Sequence, residues 1–361
     1  MSILFVLEHY HPYIGGAEKL FQSLAEALAA RGHQVSVLTT RFDPHLARKE
    51  RLNGVQIHRI DCRNRYLFTF LSLRSAIRHT RQSDLVHTTT YNAALPAWLA
   101  ARLCRRPILV TFHEAWGPLW KRLPFASRLA KTAFYYYEQL LLRLGFDRFI
   151  AVSDFTRKAL IQQGIAPSRI TRIYNGLDYQ ELKSYTHQPP PTFTYTYFGR
   201  LGISKGLDLL LPAAQQFRQQ YPDSRLVLIL PRQPRAMYHN ILQLITDLDL
   251  KDYIDLRHEL SRDELYTQIC QSSCVVIPSY SEGFCFVAAE TVGLGVPIIS
   301  SAQGALPEVV SGTYLEMEDM TKEGLSRTLE KAYRKQWSII PRRLFELEKA
   351  VETYLGLYEN L

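Results

Sequence analysis

Short apolar runs alternate with amphipathic segments along most of this sequence, and this alternation limits most strongly how the chain folds. Residues 3–7 are all apolar, and residues 17–31 carry leucine and alanine at helical spacing. A continuous apolar run of this kind is typical of a parallel strand buried on both faces. The alternation restarts at residues 193–198 and continues to residues 296–300. It predicts an α/β fold built from two doubly wound parallel sheets.

A proline-rich segment separates the two halves. Residues 186–192 contain three consecutive prolines, which continue neither a helix nor a central strand. We interpret this segment as a semi-rigid linker. The sequence therefore predicts an N-terminal domain of residues 1–185 and a second domain of residues 193–340. A final helix is predicted over residues 341–361, where apolar residues recur at near-helical spacing.

Composition excludes several classes of protein. The chain has 361 residues, of which 47% are hydrophobic and 21% charged, so it can bury a sizeable core and is not a disordered protein. The five cysteines form no C-x-x-C pair and are too few for a disulfide scaffold, so we expect them to be reduced. No apolar run approaches the roughly 18 residues of a membrane span, and no basic segment precedes the first apolar run. We therefore expect a cytoplasmic protein.

The net charge of +9 is distributed unevenly. Residues 1–191 carry 26 lysines and arginines against 13 acidic residues, whereas residues 192–361 carry 17 against 21. A basic half indicates an anionic partner, such as a membrane surface, an acidic glycan or a nucleic acid. The alternative is a soluble protein with a basic surface.

Two loops of the second half carry candidate ligand-binding residues. Residues 198–208 follow a predicted strand and place Arg200 and Lys205 beside a helix start, which is suited to binding a diphosphate. The alternative is a solvated helix start with surface cations. Residues 276–290 hold Glu282 in a loop and Glu290 about two helical turns further on. This separation favours binding two parts of an extended ligand over a glycosidase-like acid and base pair.

These motifs resemble those of family 4 glycosyltransferases, which are retaining nucleotide-sugar enzymes with the GT-B fold. The E-x7-E signature corresponds to Glu282 and Glu290, and the donor phosphate loop corresponds to G-R-L-G-I-S-K-G. Further matching segments occur in both halves: P-Y-I-G-G-A-E (12–18), A-V-S (151–153), Y-N-G-L-D (174–178), G-V-P-I-I-S (295–300) and L-P-E-V-V (306–310). The resemblance covers almost the whole chain. It implies two Rossmann-like domains facing a central cleft, with the C-terminal helix crossing back to the N-terminal domain.

The resemblance also implies roles for the residues of the second half. Arg200 and Lys205 would bind the donor diphosphate and neutralise the leaving nucleoside diphosphate, where negative charge grows as the glycosidic bond breaks. Glu290 would bind the ribose hydroxyls. Glu282, with the backbone of Gly283 and Phe284, would hold the hydroxyls of the transferred sugar.

Three residues of the first half receive roles in the same way. Gly15 and Gly16 would let the backbone approach phosphate and sugar closely, which a Cβ would block. His113 matches the family's sugar-facing histidine and would stabilise the transition state. Its alternative interpretation is an ordinary polar loop residue.

The family resemblance implies retention of configuration by a front-side mechanism, in which the donor phosphate accepts the acceptor's proton. It implies no metal and no cofactor other than the donor, with UDP or GDP as the nucleotide. The only D-x-D, at Asp247 and Asp249, is predicted to lie on a helix surface. Departures from the family pattern are Pro231 to Pro234 in place of glycines, and His258, Cys285 and Ala305 at positions where glycine is common.

The acceptor is expected to bind the basic N-terminal half. Residues 63–83 and 119–131 are rich in arginine or lysine, lack acidic residues and are interleaved with apolar side chains. Such stretches suit an anionic bilayer, which would place the enzyme peripherally at the cytoplasmic face of the membrane, acting on a lipid-linked or cell-envelope glycan. The alternative is a solvated basic face.

Other functions are weighed against this one. A nucleic-acid-binding protein is disfavoured because the basic residues form no recognised motif or stacking platform, so no nucleic-acid partner is expected. A nucleotide-sugar epimerase, hydrolase or phosphorylase of the same fold, or a catalytically silent nucleotide-sugar binder, remains the alternative.

Overall fold

The computed structural model describes residues 1–13, 15–62, 64–122 and 127–361. They form two compact units, which are taken separately below. Unit 1 comprises Met1–Gly176 together with Leu347–Leu361, and unit 2 comprises Leu177–Glu346. Arg63 and part of the basic segment 119–131 lie outside the described residues.

The described residues of unit 1 form an eight-stranded sheet. Its order is β3-β4-β2-β1-β5-β6-β7-β8, and the pairs are parallel except β3 with β4. The strands are β1 (Ser2–Val6), β2 (Gln34–Thr40), β3 (Lys49–Leu52), β4 (Val55–Ile60), β5 (Leu85–Thr89), β6 (Ile108–Phe112), β7 (Arg148–Ala151) and β8 (Ile170–Arg172).

Helices cover both faces of this sheet, which explains its continuous apolar strands. They are α1 (Gly16–Ala30), α2 (Phe68–Leu71), α3 (Leu73–Thr80), α4 (Ala94–Cys104), α5 (Arg128–Arg143), α6 (Asp154–Gln162) and α13 (Leu347–Glu359). The last helix packs beside α1 through Val351 and Tyr354. It is tied to the sheet by a 2.6 Å hydrogen bond between the Tyr358 hydroxyl and Nδ1 of the fully buried His87.

Unit 2 is built around a seven-stranded sheet of order β11-β10-β9-β12-β13-β14-β15, parallel except at β15. The strands are β9 (Thr194–Phe198), β10 (Arg225–Ile229), β11 (Ile254–Arg257), β12 (Cys274–Ile277), β13 (Ile298–Ser300), β14 (Gly312–Glu316) and β15 (Ser338–Ile340). The helices are α7 (Leu207–Gln220), α8 (Arg235–Asp247), α9 (Arg262–Cys270), α10 (Phe286–Leu294), α11 (Leu306–Val309) and α12 (Lys322–Tyr333). The predicted fold class, two doubly wound α/β sheets with a C-terminal helix on the first, is confirmed.

Several local predictions are wrong. The predicted helix near 69–82 is divided at Ser72 into α2 and α3, and the Ser72 hydroxyl donates to the Phe68 carbonyl at 2.6 Å beside the Ser72 N–H. The final helix begins at Leu347 and not at 341, because Phe345 and Glu346 before it pair in extended form with Leu177. The sequence patterns did not predict strands β3, β8, β14 and β15 or helices α11 and α12. Strands β3, β8 and β15 lie at sheet edges and lack a long apolar run.

The division between the units falls after Gly176, whereas the sequence placed the first domain's end at 185. Residues 177–185 belong to unit 2 because they are bonded to its C-terminal segment. The Leu177 N–H donates to the Phe345 carbonyl at 2.8 Å, and the Phe345 N–H donates to the Tyr179 hydroxyl at 3.2 Å. Within the described part of the chain, no helix has the length and apolar character needed to cross a membrane.

Candidate functional site

Three loops of unit 2 meet at the carboxyl edge of its sheet. They follow β9, β12 and β13, and β12 lies between the other two strands. Backbone hydrogen bonds join them: the Tyr280 N–H donates to the Ser204 carbonyl at 2.7 Å, and the Ala305 N–H donates to the Glu282 carbonyl at 2.8 Å. This edge is where open α/β sheets bind ligands.

Two glycines allow these loops to touch through their backbones. Gly206 and Gly304 have φ angles of +71° and +66°, in the region that favours glycine. A Cβ added at Gly206 would lie 2.1 Å from the Pro278 carbonyl oxygen, and one added at Gly304 would lie 2.4 Å from the Glu282 carbonyl oxygen. The geometry of the site therefore requires glycine at both positions. Ala305 is tolerated beside Gly304 because its φ of −86° lies outside the left-handed region that favours glycine.

Lys205 and Glu282 form an ion pair across these loops. The Lys205 Nζ lies 2.7 Å from Glu282 Oε1, and the Ser279 hydroxyl donates to the same oxygen at 2.7 Å. Glu282 is only 7% exposed and Ser279 is fully buried. A buried carboxylate held by hydrogen bonds and a cation is fixed in place and suited to accepting hydrogen bonds from ligand hydroxyls.

Arg200 lies at the same edge, immediately after β9. Its side chain is exposed, and its carbonyl accepts a 3.5 Å hydrogen bond from the buried Tyr197 hydroxyl. Burial raises the pKa of Tyr197, the charge of Glu282 raises it further, and the charge of Arg200 opposes them. Arg200 and Glu282 therefore both act on the Tyr197 phenol, and Lys205 joins them through its ion pair with Glu282.

Glu290 lies on α10 in a different polar environment. It is 7% exposed, and its Oε1 accepts a 3.3 Å hydrogen bond from the hydroxyl of Tyr266, a buried residue of α9. Burial raises the pKa of Tyr266, the charge of Glu290 adds to the effect, and Arg262 opposes it. The two predicted glutamates therefore have different neighbours, as expected if they bind different parts of one ligand.

The start of α10 is marked by a left-handed residue. The helix begins at Phe286, directly after Cys285, which has a left-handed backbone with φ of +79°. Gly283 and Phe284 are buried, and the Phe284 ring packs against Phe345 at 5.2 Å. Burial raises the pKa of the Cys285 thiol well above its ordinary value, with Glu282 contributing. Cys285 thus occupies a conformation that suits the glycine expected there.

The predicted residues of unit 1 lie at the carboxyl edge of its own sheet. His113 follows β6, is half-buried, and meets the ring of Phe21 edge-on at 6.2 Å. Phe21 belongs to α1, which begins at Gly16, so His113 and the two glycines are neighbours of the same helix. Gly15 has an extended backbone, with φ of −175°, that any residue adopts. An argument for glycine there depends on space alone.

Glu8 is a buried polar residue at this edge that received no role from the sequence motifs. It follows β1, is 6% exposed, pairs with Arg65 at 2.6 Å and accepts from the Asn92 amide at 2.8 Å. Burial alone would raise its pKa, but His9, Arg65 and Asn92 together hold the pKa of Glu8 below its ordinary value. The sequence signal that could have identified Glu8 is its position, since an acidic residue directly after a strand lies at a ligand-binding edge of the sheet.

No group of three His, Cys, Asp or Glu side chains suited to a metal ion occurs in the described ranges. Asp247 is the last residue of α8 and Asp249 follows it with a left-handed backbone. His258, at a position expected to hold glycine, is bonded to the Leu230 carbonyl at 2.8 Å and to the Tyr238 hydroxyl at 3.1 Å. These two bonds stabilise the start of the loop at residues 231–234, which stands where the family has glycines.

Family models match nearly the whole chain. The model described as Glycosyltransferase Family 4 matches residues 14–181, and that described as Glycosyl transferases group 1 matches residues 180–343. The chain belongs to glycosyltransferase family 4. Together the two matches include every predicted site residue of this glycosyltransferase.

Similar proteins are glycosyltransferases with diverse acceptors. A Xanthomonas oryzae GDP-mannose:cellobiosyl-diphosphopolyprenol alpha-mannosyltransferase is 28% identical over 83% of this chain and 78% of its own. A Thermobifida fusca D-inositol 3-phosphate glycosyltransferase is 26% identical over 84% of this chain and 78% of its own.

Solved structures share the fold of this glycosyltransferase. Sucrose-phosphate synthase from Thermosynechococcus elongatus superposes with a TM-score of 0.81 at 21% identity, covering 99% of this chain and 98% of that one. Anabaena HepE in complex with UDP and glucose superposes with a TM-score of 0.76 at 18% identity, covering 99% of each chain.

Proposed function

We propose that this glycosyltransferase moves a hexosyl group, with retention of configuration, from a UDP- or GDP-sugar to a hydroxyl of a lipid-linked or cell-envelope glycan at the cytoplasmic membrane face. The observation that carries the donor half of this proposal is the Lys205–Glu282 ion pair beside Arg200. It places two cations and a buried carboxylate on one loop cluster of unit 2. Unit 2 is accordingly the proposed donor domain and unit 1 the acceptor domain.

The two cations stabilise the negative charge that develops in the reaction. When the glycosidic bond breaks, the electron pair stays on the diphosphate oxygen, and Arg200 and Lys205 stabilise that negative charge. The acceptor hydroxyl attacks the anomeric carbon from the same face, and its proton passes to the leaving diphosphate oxygen. His113 hydrogen-bonds the sugar as positive charge builds at its anomeric carbon.

The carboxylates orient the donor. Glu282 accepts hydrogen bonds from sugar hydroxyls beside the backbone N–H groups of Gly283 and Phe284, and Glu290 accepts them from the ribose. Holding both ends of the donor in one geometry lowers the entropic part of the barrier. Gly15 and Gly16 leave room for the phosphate and sugar at the start of α1.

The proposed donor site is tested by nucleoside diphosphate release from UDP-, GDP- and ADP-sugars without added metal. We expect release from one donor in the wild type, and a loss of roughly 100-fold or more in Arg200→Ala and Glu290→Ala. Lys251→Ala, which removes an exposed cation of the same unit, serves as the matched control and retains activity. Failure of every donor both to react and to bind would refute the proposal.

The acceptor half of the proposal is supported by an exposed apolar patch on unit 1. Phe70 is 75% exposed, Leu71 51% and Tyr66 57%, and these residues lie between Arg65 and Arg74. Apolar side chains flanked by cations bind an anionic bilayer by insertion and by charge.

Sedimentation with vesicles tests this patch. We expect binding to vesicles that contain phosphatidylglycerol, and at least a fivefold loss in Phe70→Ser/Leu71→Ser. Leu103→Ser changes a 67% exposed leucine elsewhere on unit 1 and serves as the control. Equal binding of all three proteins would exclude the patch as the membrane contact.

A further inference from the structure

Unit 1 contains a cavity of about 490 Å³ that lies apart from the residues proposed to bind the donor. It begins at the amino ends of β1, β2 and β4, where Ser2, Gln34 and Gln56 line it, and is closed on one side by α3. Gly15 and His113 follow the carboxyl ends of β1 and β6. The cavity is therefore a second concave surface of the same sheet.

The sheet face under this cavity is unusually polar. Along β2, Ser36 precedes Leu38 on the same face, and along β4, His58 precedes Ile60. Leu38 belongs to the apolar core beneath α3 and α4, and Ile60 packs against that core at the border of the cavity, whereas Ser36 and His58 line the cavity. A parallel sheet with helices on both faces normally presents aliphatic side chains at such positions. Because Ser36 and His58 are polar at these positions, the sheet face here borders a water-accessible pocket.

Positive charge surrounds this pocket, which we call the basic pocket. Its lining includes Arg48, Lys49, Arg59 and Arg78 but no aspartate or glutamate. His58 from β4 and His79 from α3 lie in the same lining, with their rings 4.2 Å apart.

Only part of this charge is neutralised. Arg59 pairs with Glu50 at 2.6 Å, and Arg48 pairs with Asp61 at 2.8 Å. Among the described residues, Lys49 and Arg78 have no carboxylate within ion-pair distance. Burial and the nearby positive charges, including Arg78, lower the pKa of His79 to about 4, and they lower that of His58 as well. The pocket thus carries an uncompensated positive potential.

We propose that the basic pocket binds a phosphate-bearing small molecule, with Lys49 and Arg78 contacting phosphate oxygens and His58 and His79 donating hydrogen bonds to them. Two cations and two imidazoles converging from β3, β4 and α3 match the several acceptor oxygens of a phosphate or diphosphate. The volume exceeds that of one phosphate, so we infer a diphosphate or a sugar phosphate. The phosphate comes from a soluble metabolite or from a lipid headgroup.

Binding of an anion changes the protonation of this pocket. The anion supplies the missing counter-charge and raises the pKa of His58 and His79, so binding takes up protons. The other charged groups facing the two rings, Lys49 and Arg78, stay protonated throughout. Affinity therefore increases as the pH falls from 8 to 6.

Calorimetry on the full chain tests the proposal. Arg200→Ala/Lys205→Ala is used as the background so that the proposed donor site does not contribute. We expect pyrophosphate to bind, with affinity at least tenfold weaker after adding Arg78→Gln or Lys49→Gln. Arg81→Gln removes a cation of the same helical segment that does not line the pocket, and its affinity stays within twofold. Absence of binding, or equal weakening by all three changes, would overturn the proposal.

Sulfate distinguishes protonation of the histidines from protonation of the ligand, because the charge of sulfate is constant between pH 6 and 8. We expect at least threefold tighter sulfate binding at pH 6, and no pH dependence in His58→Gln/His79→Gln. A pH-independent wild type would overturn the role of the histidines. An unchanged circular dichroism spectrum and an unchanged thermal unfolding midpoint of Arg78→Gln would exclude misfolding as the cause.

Vesicles distinguish the two sources of phosphate. If the ligand is a lipid headgroup, phosphatidate vesicles bind the wild type, pyrophosphate competes, and Arg78→Gln loses the competed fraction. If the ligand is soluble, pyrophosphate binds in calorimetry without displacing vesicles. Either result supports the pocket, and failure of both ligands would refute it.

Discussion

Replacing Gly206 with alanine tests whether the donor loops of unit 2 are held by backbone contact. Gly206 has φ and ψ of 71° and 24°, and Gly295 in the same unit has 73° and 19°. The two glycines therefore impose nearly the same conformational cost on an added Cβ. They differ in what the Cβ meets: the Pro278 carbonyl oxygen at 2.1 Å for Gly206, and the mobile end of the Arg342 side chain at 3.1 Å for Gly295.

The magnitude follows from that difference. Alanine in the left-handed region costs about 1–2 kcal/mol in both variants. Gly206→Ala must also move a backbone carbonyl, which adds about 1–3 kcal/mol by overpacking. For a unit of this size, a difference of about 2 kcal/mol lowers Tm by about 4–8 °C relative to Gly295→Ala. Because Lys205 precedes the displaced residue, sugar transfer falls by roughly 10- to 100-fold.

Differential scanning calorimetry and nucleoside diphosphate release measure the two effects. We expect Gly206→Ala to be less stable and less active than Gly295→Ala, which keeps most of the activity. Equal stability and equal activity of the two variants would show that the loops are not in contact. The ion pair of Lys205 with Glu282 would then need another explanation.

Three further predictions concern single side chains. Burial, with a smaller effect of His113, lowers the pKa of His87 to about 3. The unfolded chain therefore binds a proton at this histidine more tightly than the folded chain does. As a result, the free energy of unfolding falls by about 1.4 kcal/mol per pH unit as the pH drops from about 6.5 to 3. His87→Gln should flatten this slope in urea titrations, and an unchanged slope would contradict the burial argument. Cys285→Gly should exceed Cys285→Ala in stability by about 1 kcal/mol, because both lose the thiol but only glycine relieves the left-handed backbone; calorimetry with the order reversed would refute this. Tyr266→Phe should raise the donor KM several-fold with kcat within twofold, since it removes the hydroxyl bonded to Glu290; an unchanged KM would argue against ribose binding there.

The fold class and the main candidate residues were predictable from local patterns in the chain. Apolar runs of strand length report burial on both sides, which is a local property, so the two parallel sheets were predictable from residues 3–7 and 193–198 onward. Ordered motifs at consistent spacing identified Arg200 and Glu282 for the same reason: they occupy fixed places in strand-to-helix loops.

Only the tertiary structure decided which of these residues meet. Lys205 and Glu282 are 77 positions apart and pair because β9 and β12 are neighbours, a fact of strand order that no local pattern encodes. The need for glycine at Gly304 depends on the backbone of a different loop. In the basic pocket, Lys49 and Arg78 look like ordinary surface cations in sequence. They share one cavity because β3 pairs at the edge of the sheet while α3 packs on its polar face. Such proximity depends on long-range packing that sequence periodicity does not record.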